Sequence, residues 1–144
     1  MTTRLLPCTL AGATFFAAAS AVSAQDATPP TLALELNSLQ PSEKGCGLTF
    51  VITSNLGADL ANAAFGVALF SDAGVVGRPT VLDFNELPAG KTKVARFDLE
   101  GAECAKVSRV RINHATECVG TGIDPDACQR QLKPGTRSDI TFGM

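Results

Sequence analysis

Along this chain, short runs alternate strictly between inward-type and outward-type positions, with turn residues between them. A period of two marks half-buried antiparallel strands, because successive side chains of a strand point to opposite faces. In "TLALELNSL", Leu32, Leu34 and Leu36 alternate with Ala33, Glu35 and Asn37. "GLTFVITSN" sets Leu48, Phe50 and Ile52 against Thr49, Val51 and Thr53, ahead of a turn at 55–57. "AAFGVALFSDAG" turns Phe65, Val67 and Leu69 inward and closes in a hairpin around 72–74. "VVGRPTVLDF" contains Pro79, which has no N–H for a ladder, so this segment reads as an edge or broken strand.

After a turn at 88–90, "LPAGKTKVARFDL" directs Ala95, Phe97 and Leu99 to one face and Val94, Arg96 and Asp98 to the other. "VSRVRIN" places Val110 and Ile112 inside and Arg109, Arg111 and Asn113 outside, and "RSDITFG" buries Ile140 and Phe142. The only helical feature is a short turn near 126–131. Seven short strands at regular spacing predict an all-β fold, an immunoglobulin-like antiparallel β-sandwich of about seven strands.

The N-terminus changes the setting. Arg4 precedes an apolar run over 5–19 and then the small residues Ser20-Ala-Val-Ser-Ala24, the pattern of a Sec-type signal peptide cleaved after Ala24. The run is too short for a membrane span, which needs about 18 residues or more. It lacks the arginine pair of the twin-arginine route. Cys8 follows Pro7 near the start of the run, the wrong place for a lipid anchor, and is expected to be discarded. The expected organisation is a signal peptide over 1–24, a linker over 25–30 and one domain over 31–144, in the periplasm or secreted. Losing Arg4 leaves 11 Lys+Arg against 14 Asp+Glu, a net charge of −3, and nothing steers such a chain toward nucleic acid. The absence of Trp and Tyr limits stacking platforms for sugars or bases to phenylalanine.

Four cysteines remain: Cys46, Cys104, Cys118 and Cys128. An even number in an exported chain points to disulfides, for which three pairings exist. Zinc would need close cysteine pairs or several histidines, but His114 is the only histidine, and no C-x-x-C redox motif occurs. In an immunoglobulin-like topology, the strands that begin at Cys46 and just after Cys104 start at the same end of opposite sheets. That arrangement predicts Cys46–Cys104 across the sandwich and a local Cys118–Cys128 staple. In the chain-entropy model these would contribute about 4 and about 3 kcal/mol.

Candidate chemistry is sparse. "CVGTGIDPDAC" lacks the alternating ligands and final glutamate of an EF-hand loop, and Pro125 breaks any G-x-G-x-x-G. Asp124 and Asp126 are expected to start a turn or cap a short helix, with a rigid binding loop as the alternative. No nucleophile elbow accompanies His114, and the scattered carboxylates form no acid/base pair. The expectation is therefore a non-enzyme without cofactor or metal. If the sixth strand pairs with the third and the last, Arg109 and Arg111 stand beside Gly66, Ala68 and Phe70 on one face. Arginine and aromatic residues are enriched at interfaces, so Phe70, Arg109 and Arg111 form a candidate partner-binding face. The reading preferred over this is an ordinary solvated sheet with cross-strand ion pairs. Lys91, Lys93 and Arg96 read as solubilising an exposed strand.

The segments "LELNSLQPSEKGCGLTFVITSNLGADL", "FSDAGVV", "LDFNELPAGKTKVARFDL" and "VRIN", followed by "C…DPDAC", resemble a family of small secreted proteins of alphaproteobacteria. The resemblance spans nearly all of the mature chain and implies a periplasmic immunoglobulin-like sandwich, with no activity attached. Residues 53–99 also resemble adhesion-type immunoglobulin-like modules, although the buried Trp and corner Tyr of antibody domains are missing. The functional expectation is an exported envelope module that binds a protein, such as another envelope component. The alternative is a periplasmic carrier of a small ligand or metal, or an enzyme, working through the 118–128 loop.

Overall fold

The computed structural model describes residues 28–144, together with Pro7 and residues 11–13; the expected cleavage site at Ala24 and the discarded Cys8 lie outside the described residues. Eight strands form two four-stranded sheets. The first has the order β5-β2-β1-β7 and the second β4-β3-β6-β8. The strands are β1 (Thr31–Pro41), β2 (Gly45–Asn55), β3 (Leu60–Ser71), β4 (Thr80–Leu87), β5 (Thr92–Glu100), β6 (Val107–Val119), β7 (Leu132–Thr136) and β8 (Thr141–Gly143). A 3-10 turn at Cys104–Lys106 leads into β6, and a one-turn helix α1 (Ala127–Arg130) precedes β7. Up to β6 the order matches the expected immunoglobulin-like sandwich.

The C-terminal part departs from the expectation in two ways. β7, sequence LKPGT, carries no alternation and a proline, so nothing in its pattern marks a strand. It adds to the edge of the first sheet, where a missing N–H is tolerated. β7 also runs parallel to β1, and β8 parallel to β6, so the sandwich is not wholly antiparallel. The anticipated last strand is shorter than its pattern implied. Phe142 is buried in β8, whereas Ile140 precedes it in the turn and is only partly buried.

Alternation does its work inside. Leu32, Leu34, Leu36, Leu48, Phe50, Ile52, Phe65, Val67, Val110 and Ile112 are all essentially inaccessible. At the centre, Phe50 from β2 meets Phe84 of β4 at 5.9 Å, Phe97 of β5 at 6.0 Å and Phe142 of β8 at 5.6 Å between ring centroids. Phe65 of β3 joins through Phe84 at 6.0 Å. Mostly edge-to-face pairs of this kind contribute about 0.5–1.5 kcal/mol each beyond the area they bury.

Both disulfides are formed as expected, Cys46–Cys104 and Cys118–Cys128. The first ties β2 of one sheet to the 3-10 turn that opens β6 of the other. The second closes the loop at the opposite end of β6. Such bonds fit an oxidising, extracytoplasmic setting. No helix among the described residues is long and apolar enough to cross a membrane.

Lys93 corrects the reading of β5 as merely solubilised. Its ammonium group donates to the backbone carbonyls of Phe84 and Glu86, bridging the edge of one sheet to the edge of the other. These carbonyls lie on the side of β4 that has no neighbouring strand, and Asn85 between them has a φ of 58° at a register shift. A charged cap and a bulge are both devices that keep a free edge from pairing with another chain. Replacement Lys93→Met is therefore expected to raise concentration-dependent self-association, read by sedimentation velocity. An unchanged monomer distribution would refute this role.

Ser54 presents the opposite case. It is fully buried, and its hydroxyl has no hydrogen-bond partner. An unmet buried hydroxyl costs about 1–3 kcal/mol. Ser54→Ala should accordingly stabilise the fold by about 1 kcal/mol in urea unfolding, and a loss of stability would show that the hydroxyl is satisfied after all.

Candidate functional site

Two places were singled out by sequence, and the fold puts them at opposite ends of β6. Nine residues separate Arg109 from Cys118, which in a strand is about 30 Å.

At the Cys118–Cys128 end, the loop is built for rigidity. A Cβ on Gly120 would sit 2.5 Å from the carbonyl oxygen of Asp59, so only glycine lets the loop pack against the β2–β3 connection. Gly122 takes a φ of 75°, which a side chain would resist. Asp124 spends both carboxylate oxygens locally. One accepts the backbone N–H of Asp126 at 2.9 Å and the other accepts Arg130 Nη2 at 2.9 Å. Asp126 precedes α1 without capping it by its side chain, so the turn role falls to Asp124 and the anticipated cap is absent. Among the described residues, no three His, Cys, Asp or Glu side chains converge as metal ligands. Gln129 of α1 accepts the N–H of Ala115, which covers the stretch of β6 edge that β8 leaves bare.

At the Cys46–Cys104 end, the outer face of the second sheet brings Phe70 and Arg109 together. They are paired across β3 and β6, and the Arg109 guanidinium lies 4.3 Å from the Phe70 ring centroid. A cation over an aromatic face at an exposed site contributes about 0.5–1 kcal/mol. Arg111 lies one step further, opposite Ala68. The expected cross-strand ion pairs do not form: among the described residues, neither arginine has a salt bridge. Small residues make the floor of this face. Ala64, Gly66 and Ala68 are buried, and the His114 ring would lie 3.2 Å from a Cβ on Gly66. His114 itself is exposed and packs over that glycine.

The β3–β4 hairpin adds residues that sequence reading treated only as a turn. Val76 bridges back to Phe70 and is 50% exposed, so an apolar side chain stands in solvent beside the aromatic ring, and Val75, opposite Ser71, is 65% exposed. Arg78 follows in the β3–β4 connection, where the register shifts by one residue between the Phe70–Val76 bridge and the Val67–Thr80 pair. Arg78 is exposed and, among the described residues, likewise has no salt bridge. A cleft of about 780 Å³ opens below, between β4 and β5, lined in part by Phe70, Val76 and Arg78 and by the acidic residues Asp98, Glu100 and Glu103. The available signal was two consecutive valines directly after a glycine turn, a place where polar residues are the rule.

No family model matches the chain, and no curated protein does. Among solved structures it is similar to the Salmonella enterica trimeric lipoprotein SadB, with 19% identity and a TM-score of 0.47, covering 55% of this chain and 45% of that one.

Asp124 gives the loop a defined pH response. Its carboxyl is held below the ordinary 3.8, first by the Asp126 N–H; desolvation opposes this, and the Arg130 charge and hydrogen bond lower it further. A depressed carboxyl pKa contributes stability that is complete above the unfolded value and is lost as pH falls through the folded one. Asp124→Asn should therefore melt slightly below wild type at neutral pH, with the gap closing below about pH 3.8. A gap that persists in acid would exclude the charge as its origin.

Proposed function

We propose that this protein is a non-catalytic, exported module of the cell envelope that binds a protein partner through the outer face of the β4-β3-β6-β8 sheet. The observation that carries this reading is the state of Phe70. Six phenylalanines follow Ala24, and five of them form the core cluster. Phe70 is the one outside that cluster, half-buried on the outer face of its sheet under Arg109 and bridged to the exposed Val76. An aromatic ring, arginine and exposed apolar side chains in one patch are the composition that distinguishes interface centres from ordinary surface. The disulfides support an oxidising compartment, and the signal-type leader supports export to the periplasm.

The Cys118–Cys128 loop is the weaker candidate, because its best ligand, Asp124, is already used by the chain's own donors. For the face, the test is crosslinking in living cells with a tagged protein, quantifying each co-purified protein against Phe70→Ala and Arg109→Ala variants. Central aromatic and arginine anchors typically cost 2 kcal/mol or more on truncation, about thirty-fold in affinity. A partner recovered by wild type should drop accordingly with Phe70→Ala. Equal recovery from both variants would remove this face as the binding surface.

A further inference from the structure

We infer that β5 is the edge on which a second copy of this chain docks, forming a twofold dimer in which two β5 strands pair antiparallel about Phe97. The inference concerns the first sheet and does not rest on the proposed reading of the Phe70 face.

The ladder shows what β5 leaves open. The Gly101 N–H donates to the Lys44 carbonyl, and the register runs unbroken from Gly45 opposite Glu100 to Thr53 opposite Thr92. Hydrogen-bonded positions alternate along an antiparallel pair, so the odd-numbered residues of β5 bond β2. Val94, Arg96, Asp98 and Glu100 therefore turn their N–H and C=O groups outward, to the side on which β5 has no neighbouring strand. Such a row on a long, regular edge is a template for another strand. The other edges are guarded or short: β4 by Lys93 and the irregularity at Asn85, β7 by Pro134, and β8 by its length of three residues. β5 runs for nine residues with neither a proline nor a register shift.

Two observations select a second copy as the occupant. The first is charge. A strand added to β5 needs an acid opposite Arg96 and a base opposite Asp98. β5 itself supplies both when the twofold axis passes through Phe97, because Arg96 then faces Asp98 of the second copy and Asp98 faces its Arg96. Moving the axis by one residue in either direction sets Arg96 against Arg96 or Asp98 against Asp98. Within one copy the two side chains meet at 3.3 Å while 44% and 56% exposed, so both remain open to a facing strand.

The second observation is Phe97. Phe50, Phe65, Phe84 and Phe142 are buried, and Phe97 is the one ring of the cluster that stays partly exposed. The same axis sets it against Phe97 of the second copy at a non-hydrogen-bonded position, where facing side chains come closest. Ala95, also only partly buried, meets Leu99 there. Lys93 falls opposite Gly101 at the end of the ladder, where it keeps its bonds to β4. A twofold contact is self-complementary and closes at two copies. Its axis stands perpendicular to the joined sheet, so the second sheets of both copies lie on one side and their outer faces point the same way.

The test is sedimentation of the mature protein from about 1 μM to about 1 mM, a range that reaches the weak end of specific association. Wild type should show a reversible equilibrium of monomer and dimer. Arg96→Asp and Asp98→Arg each turn two attractive facing pairs into repulsive ones, and each variant alone should dimerise at least about ten-fold more weakly. Mixed in equal amounts, the two variants should form a heterodimer at least as strong as the wild-type dimer, because every facing pair is again opposite in sign. Both variants lose the ion pair within one copy, so only pairing between copies predicts this recovery.

A wild type that stays monomeric at about 1 mM overturns the inference. So does a mixture that associates no better than its components. A dimer that Phe70→Ala dissolves and the charge variants spare would move the contact to the other sheet, with the same consequence. The crosslinking comparison decides the Phe70 face whichever way β5 behaves.

Discussion

Five phenylalanine rings in contact between two sheets hold this molecule together. Phe50, Phe65, Phe84, Phe97 and Phe142 come from five different strands and from both layers, so a single cluster fixes how the sheets face one another. Rings that meet edge to face resist sliding, because the favourable geometry is lost with small displacement. Around this cluster, leucine, isoleucine and valine from β1, β2, β3 and β6 fill the remaining layer. The two disulfides then secure the ends, where strands leave the core and fewer apolar contacts are available.

A sandwich of this kind has four open edges, and the chain treats them differently. Lys93 caps the carbonyls of β4 near the bulge at Asn85, and Gln129 covers the N–H of Ala115 on β6. β7 and β8 are short and joined by a tight connection in which the Arg137 N–H donates to the Leu36 carbonyl. These devices cover backbone, and they leave side chains to define whatever surface the molecule presents to others. The surface that stands out is the foot of the second sheet, where aromatic, valine and arginine side chains are exposed together. It adjoins the place where the two sheets splay apart, so an ordered segment on the face has a neighbouring cleft for a side chain.

The contrast between the two ends of β6 is also an electrostatic one. At the loop end, Asp124 and Arg130 satisfy each other, and the backbone donates to the same carboxylate. At the other end, Arg109 and Arg111 form no salt bridge among the described residues. Internal pairing organises a loop but leaves little electrostatic potential for a partner, whereas unpaired charge on a fixed sheet is available at the moment of encounter.

Side-chain parity along a strand is a local property, and so the sequence alone determined most of what faces inward. Alternation identified the buried sides of β1, β2, β5 and β6, the turns at 55–57, 72–74 and 88–90, and the outward position of Arg109 and Arg111. Combined with an immunoglobulin-like topology, it also yielded both disulfide pairings. Partner choice between distant segments is not local. β7 carries Pro134 and no alternation, and it becomes a strand only because β1 offers an edge. The parallel pairings follow from the chain crossing between sheets after α1. Lys93 acquired its role from the approach of β4, and Val76 joined the Phe70 face only through the register of a hairpin. Tertiary structure alone decided these, because each depends on which backbone lies opposite, and a period-two pattern is the same whatever strand it pairs with.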